Sequence, residues 1–273
     1  MRTPTVLSLA IALLALSGVF WAIERRRPAL PQQRRRAADT RVDLAYWFFT
    51  PLVTRAVTRL SLGLAFGMIA WSQGVSLDDL RRAATTRQTW AASLPIVVQV
   101  PLILFIGDFL AYWTHRLFHG RWLWPFHAIH HSSTTVDWLS SVRLHPVNDA
   151  VARVAQVLPL YWMGFNAGAL AAIVPFLTFY ALLLHANVNW SYGRLRFVVA
   201  SPVFHRWHHT SEEEGLDTNF AGLFPVIDLA FGTFFMPPGG QPQRFGVTDQ
   251  PIPQGLVAQL VHPFRRQARP TIR

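Results

Sequence analysis

Ten of the chain's eleven histidines fall between Trp113 and Thr210, and eight of these stand in three short clusters. They are His115-Arg-Leu-Phe-His119, His127-Ala-Ile-His130-His131 and His205-Arg-Trp-His208-His209. Residues three or four apart on a helix share a face, so each cluster can aim several ring nitrogens at one point. Neutral imidazole is the commonest side-chain ligand for iron, copper and zinc. A lone histidine is usually a scattered polar or core residue, but three spaced clusters in one stretch read as a metal site with more than one ion. Any fold of this chain must therefore bring three separated segments to one place.

The rest of the chain narrows how that is done. Of the 273 residues, 51% are apolar and only 14% are charged, against about 25% charged in ordinary soluble domains. That balance points to membrane embedding. Net charge is +11, from 25 Lys and Arg against 14 Asp and Glu. Because arginines flank apolar runs, the excess reads as cytoplasmic-side anchoring and attraction to anionic lipid, not as nucleic-acid binding. The absence of cysteine excludes disulfides, iron–sulfur clusters, Cys-bound zinc and Cys-ligated haem.

Residues 5–23 form an unbroken apolar run close to the roughly 20 residues that span a bilayer. A cleaved signal peptide is the competing reading, but Glu24 and the arginines at 25–27 follow where a small-residue cleavage site should lie. We read an uncleaved first span whose C-terminal end faces the cytoplasm, held by the arginines at 25–27 and 34–36. Residues 44–71 form a second stretch, interrupted by Pro51, Arg55 and Arg59, that begins as an interfacial helix before crossing. The polar segment 72–93 carries Arg81, Arg82 and Arg87 on the outside, against the positive-inside tendency. Residues 94–113 form the third span, and 151–164 with 167–184 form an apolar hairpin around Gly164-Phe-Asn166 that crosses in part. Alternation from the first span delivers His115, His185 and His205 to one membrane face. Three regions are expected: N-terminal spans and loops at 1–93, a catalytic domain at 94–237, and a loosely ordered cytoplasmic tail at 238–273 that holds His262. The expected fold is an all-α integral-membrane bundle of about four transmembrane helices with a cytoplasmic helical cap carrying the metal site.

The run Asp108-Phe-Leu-Ala-Tyr-Trp-Thr-His115-Arg-Leu-Phe-His119, followed by Phe126-His127-Ala-Ile-His130-His131-Ser, resembles the fatty acid hydroxylase/sterol desaturase superfamily of membrane di-iron oxygenases. Arg143-Leu-His145-Pro146 resembles the family's Arg-x-His-Pro element. The segments His205-Arg-Trp-His208-His209, Asp217-Thr-Asn219-Phe220 and Asp228-Leu-Ala-Phe-Gly232-Thr233 resemble its last histidine box and the signatures after it. The similarity covers roughly residues 95–237 and leaves out the N-terminal spans. It implies that the eight clustered histidines bind two iron ions, with a further ligand from the helix between the second and third boxes. His185 holds that place, and Asn189 stands where some relatives have histidine, so an amide oxygen, a bridging water or nothing completes the set. His145 is the alternative tenth ligand, or a donor beside the site. Asp217 belongs to a family signature and is a candidate ligand or ligand-orienting residue. Asp108 lies two helical turns before His115, where a carboxylate can hold an imidazole tautomer; the alternative is a helix-end charge at the membrane boundary.

The resemblance further implies that dioxygen is activated at the irons and hydrogen removed from an unactivated C–H bond, giving a hydroxyl group or a double bond on a lipid such as a sterol, fatty acyl chain or ether lipid. Hydroxylation is the preferred outcome. Trp122, Trp124, Phe126, Trp138 and Trp207 sit among the boxes and read mostly as interfacial anchors. No dinucleotide, flavin or haem motif is visible, so electrons come from a separate ferredoxin or b-type cytochrome with its reductase, docked on cytoplasmic arginines. The expected place is a bacterial inner membrane, with the metal site on the cytoplasmic face. A zinc-dependent membrane hydrolase is the alternative, although Arg116, Ala128 and Arg206 stand where a zinc protease on a helix carries its general-base glutamate. A metal-binding membrane protein without catalysis is the third possibility.

Overall fold

The computed structural model describes residues 4–34, 37–86, 89–248 and 250–265. The expected anchoring arginines at 35 and 36, Arg87, and the tail from 266 lie outside them. Among the described residues the secondary structure is helical, with two isolated β-bridges and no strand.

Helix α1 (Val6–Arg26) begins at a reciprocal cap in which Thr5 and Ser8 each accept the other's amide hydrogen, and ends with Arg25 and Arg26 at the negative end of the helix dipole. Helix α2 (Ala37–Phe49) passes through a π turn at Thr50–Thr54 into α3 (Arg55–Ser72). Pro51 has no amide hydrogen to give, and the wider turn absorbs the break in the ladder without ending the helix. The polar α4 (Leu77–Thr86) and short α5 (Trp90–Ser93) lead to α6 (Ile96–Phe118), α7 (Trp124–His131) and α8 (Pro146–Trp162). Then follow α9 (Ala167–Ala172), α10 (Val174–His185), α11 (Pro202–His208), α12 (Val226–Ala230) and α13 (Leu256–Val261).

Among the described residues four helical stretches are long and apolar enough to cross a membrane: Val6–Arg26, Ala38–Ser72, Ile96–Phe118 and Gly168–His185. The second starts earlier than hydropathy suggested, because its first turns hide Asp39 and Asp43 against Arg143. Only the second arm of the expected hairpin has crossing length; α8, the first arm, packs between α3 and α6.

The first span is tied to the body by aromatic rings. Phe20 stacks on Trp138 at 5.1 Å, Trp47 meets Trp138 edge-on at 5.9 Å, and Trp47 Nε1 donates to the Leu9 carbonyl. The segment after Gly239, expected to be loose, is packed as far as α13. Ile252 and Leu256 lie against Val42, Tyr46 and Ile129, and Gln259 is buried. Its Pro, Gln and Arg content concealed a short apolar helix.

Candidate metal centre

Each histidine cluster sits at a helix end that its own sequence defines. His115 is in the last turn of α6 and His119 is its C-cap. Pro125 opens α7, where its missing amide hydrogen costs nothing, and the cluster fills the remaining turns. His185 closes α10. Ser201 caps α11 by accepting from the Phe204 amide, with Pro202 in its first turn. Helix α6 and the stretch Gly168–His185, which joins α9 to α10, are of crossing length, so the imidazoles gather where these two stretches end.

The histidines form two groups. His115, His119, His127, His131 and His208 make one, and His130, His185, His205 and His209 make the other, with the candidate ligand atoms in each all within 4.8 Å of one another. Helix pitch explains the division. In α7, His127 and His131 are four apart and share a face, while His130, turned about 100° from His131, looks the other way. In α11, His205 and His209 share a face and His208 serves the opposite group. Each triplet therefore contributes to both groups, and the His131 and His209 rings stack where the groups meet, 4.4 Å between centroids.

The outward nitrogens fix the inward ones. Nδ1 of His115 faces the Phe220 carbonyl (2.8 Å), that of His119 the Asp217 carboxylate (2.8 Å), and that of His127 Asn148 Oδ1 (2.8 Å). Nδ1 of His130, His185 and His208 faces the carbonyls of Arg143 (3.1 Å), Ala181 (2.8 Å) and Thr218 (2.8 Å). The carbonyl and carboxylate partners only accept, so those Nδ1 atoms carry the hydrogen and their Nε2 lone pairs point inward. The Asn148 amide, with its oxygen toward the ring, acts alike.

Nε2 atoms then oppose one another with no proton between them: 2.9 Å for His115 and His127, 3.3 Å for His130 and His185. Nε2 of His119 and of His208 is buried with no partner at all. Nitrogens bound at about 2.1 Å to one ion at right angles lie about 3 Å apart. The donor set therefore fits a metal ion.

Electrostatics agree. Burial, reinforced by neighbouring rings, holds His127, His130, His131, His205, His208 and His209 well below the ordinary histidine value, in the neutral form that ligates. The bond from His119 holds the Asp217 carboxyl below its usual range.

Asp108, His145 and Asp217 join neither group. Asp108 touches no histidine: its oxygens accept from the amides of Gly222 (2.8 Å), Leu223 (3.0 Å) and Phe224 (2.8 Å). Asp228 holds the amides of Phe220 and Ala221, so both carboxylates pin the loop whose Phe220 carbonyl orients His115. His145 belongs to neither group; its Nδ1 accepts from the Val147 amide to cap α8, and its Nε2 donates to the Leu260 carbonyl. Asn189 is exposed and accepts from Gln241 Nε2 (2.7 Å). Asp217 orients His119. Of the aromatics read as interfacial anchors, Trp138 and Trp207 are buried and Trp124 packs on His119 and His131; Trp122 is exposed.

Sequence reasoning missed Asn148 and the carbonyls of Arg143 and Thr218. The Asp217-Thr-Asn-Phe220 signature carried a signal for the last of these. It supplies three Nδ1 acceptors in four residues, which requires left-handed backbone at Asp217 and Asn219 (φ 54° and 58°). Asn219 is locked in place by bonds to Phe204 and Phe235.

Membrane-length helices that end in two all-imidazole groups define a membrane protein built to hold paired metal ions. Residues 100–233 match the fatty acid hydroxylase family. Through this region the chain belongs to the fatty acid hydroxylase/sterol desaturase superfamily. An ornithine lipid hydroxylase of Rhizobium tropici is 28% identical over 267 residues, 96% of this chain and 77% of that protein. The alkylglycerol monooxygenase of Homo sapiens is 30% identical over 141 residues, 48% of this chain and 29% of that protein. A very-long-chain aldehyde decarbonylase of Oryza sativa is 27% identical over 158 residues, 53% of this chain and 24% of that protein. No solved structure matches the chain.

Proposed function

We propose that the protein is a membrane-bound non-haem di-iron oxidoreductase that uses dioxygen to hydroxylate a membrane lipid. The observation that carries this reading is the gathering of nine imidazoles beside the ends of two membrane-length stretches, Ile96–Phe118 and Gly168–His185, with the six from α7 and α11 brought up against them. His115, His119, His127, His131 and His208 would hold one iron and His130, His185, His205 and His209 the other. The bound irons would supply activation of dioxygen and the oxidising power to break an unactivated C–H bond. The chain's own residues do the rest. The Nδ1 acceptors behind His115, His119, His127, His130, His185 and His208 fix those six tautomers before metal arrives, and burial keeps the rings neutral and water away. Hydroxylation is preferred to desaturation because relatives are named hydroxylase and monooxygenase.

Electrons come from a separate protein, a ferredoxin or b-type cytochrome with its reductase. Arg121 and Arg194, both exposed, would meet its acidic surface. The metal centre faces the cytoplasm of a bacterial inner membrane.

Mass spectrometry of membrane lipids with and without the protein tests the reaction: a lipid heavier by one oxygen atom is expected, and one lighter by two hydrogens identifies desaturation. Anaerobic purification with about two irons per chain and dioxygen-dependent turnover supports the centre. Zinc with dioxygen-independent hydrolysis, or metal without turnover, overturns it.

A further inference from the structure

A cavity of about 260 Å³ opens where α1 ends, lined by Ala22, Ile23, Arg26, Arg27 and Trp190. Its apolar wall belongs to a helix of crossing length, and its cationic wall begins where that helix stops. Trp190 comes from the segment that leaves α10, and that segment is strapped to α1. The Asn187 amide donates to Glu24 Oε1 (2.9 Å), the Asn189 amide to the Arg27 carbonyl (2.9 Å), and the Leu30 amide to Asn187 Oδ1 (3.0 Å). The walls are thus set by the fold.

Among the described residues neither Arg26 nor Arg27 is in an ion pair. Arginine at a span end is often only an anchor, and Arg25, lying over the Trp21 ring, fits that role. Arg26 and Arg27 differ because they share a cavity with an indole. Guanidinium forks match the paired oxygens of phosphate and carboxylate. The volume is below the range of about 300–1,000 Å³ for whole drug-sized ligands, which suits a headgroup rather than an entire lipid.

We propose that this cavity seats the anionic headgroup, a phosphate or carboxylate, of a membrane lipid whose chains lie along α1. The proposal concerns binding and stands whether or not that lipid is the one oxidised. A soluble anion would find the same guanidiniums, but the Ala22, Ile23 and Trp190 walls favour a ligand with an apolar continuation.

Native mass spectrometry of the purified full-length protein, released from uncharged detergent, compares phosphatidylglycerol with diacylglycerol of the same chains. Phosphatidylglycerol should be retained at least tenfold better. Each basic residue at an anionic surface contributes roughly fivefold, so Arg26→Gln with Arg27→Gln should lower retention by tenfold or more, while Arg121→Gln leaves it unchanged. Both arginines are exposed, so the double variant should fold. Equal retention of the two lipids, or no loss in the double variant, overturns the proposal. Displacement of the lipid by equimolar inorganic phosphate also overturns it, in favour of a soluble-anion site.

Discussion

His115 and His127 meet Nε2 to Nε2 at 2.9 Å while Phe220 and Asn148 take up their other nitrogens. Two lone pairs at that distance repel unless a cation lies between them. The pair therefore shows how selection for metal is built: each ring is turned by an oxygen behind it, and ligation follows.

Asn148 should then matter as much as its distance from the reaction suggests it should not. Asn148→Leu removes the acceptor behind His127 and is expected to weaken metal retention by about 10–100-fold, with Asn148→Asp close to the native protein. Titration with a chelator measures this; native resistance in the leucine variant would falsify the assignment.

His145 is expected to behave as a helix cap. His145→Ala should leave metal content intact and lower stability by about 1 kcal/mol, seen as a lower Tm in detergent. Asn189→Ala should also keep its metal. Loss of metal in either variant would move the ligand set.

Arg143 is completely buried, donates to Asp43 (2.7 Å from Nε) and reaches Asp39, while its carbonyl orients His130. Arg143→Met strands two carboxylates inside the protein. A loss of about 3–5 kcal/mol is expected, accompanied by weaker metal binding. A variant of native Tm would contradict the coupling.

The pH dependence has a definite sign. In the metal-free protein six histidines outside the crossing helices are held below their ordinary value by burial. The unfolded chain takes up protons below about pH 6.5, the folded chain does not, so stability is complete above that pH and falls as pH drops through it. Bound metal should move the loss to lower pH. Thermal unfolding of chelated and loaded protein across this window reads both effects, and a chelated protein that gains stability on acidification contradicts them.

Topology can be read with cysteine, which the chain lacks. Gln32→Cys, Trp122→Cys and Glu214→Cys place thiols at exposed positions. All three should resist a membrane-impermeant reagent in intact cells and react in inverted vesicles. Labelling of Trp122→Cys or Glu214→Cys from outside refutes a cytoplasmic metal centre.

The clusters were legible because i, i+3 and i+4 spacing is local, and so were the spans, which depend on hydropathy. The partition between ion sites was less so. The sequence reading let each cluster converge on one point; helix pitch turns His130 away from His131 and His208 away from His209, but that a second group waits on each side depends on how α7 and α11 are placed against each other. Asp108 was read by its distance along α6 from His115, but its partners come from residues more than a hundred positions away. The burial of Asp39 and Asp43 was hidden for the same reason, since Arg143 approaches from another part of the chain.

Sharing each triplet between two groups makes the helix a ruler. One residue inserted between His127 and His130 would turn the later histidines by about 100° and send them to the wrong ion. Loops between the boxes can lengthen without that penalty, since they set only where a box arrives and not how it is phased. Length variation among proteins of this kind should therefore collect between the boxes and stop at their edges.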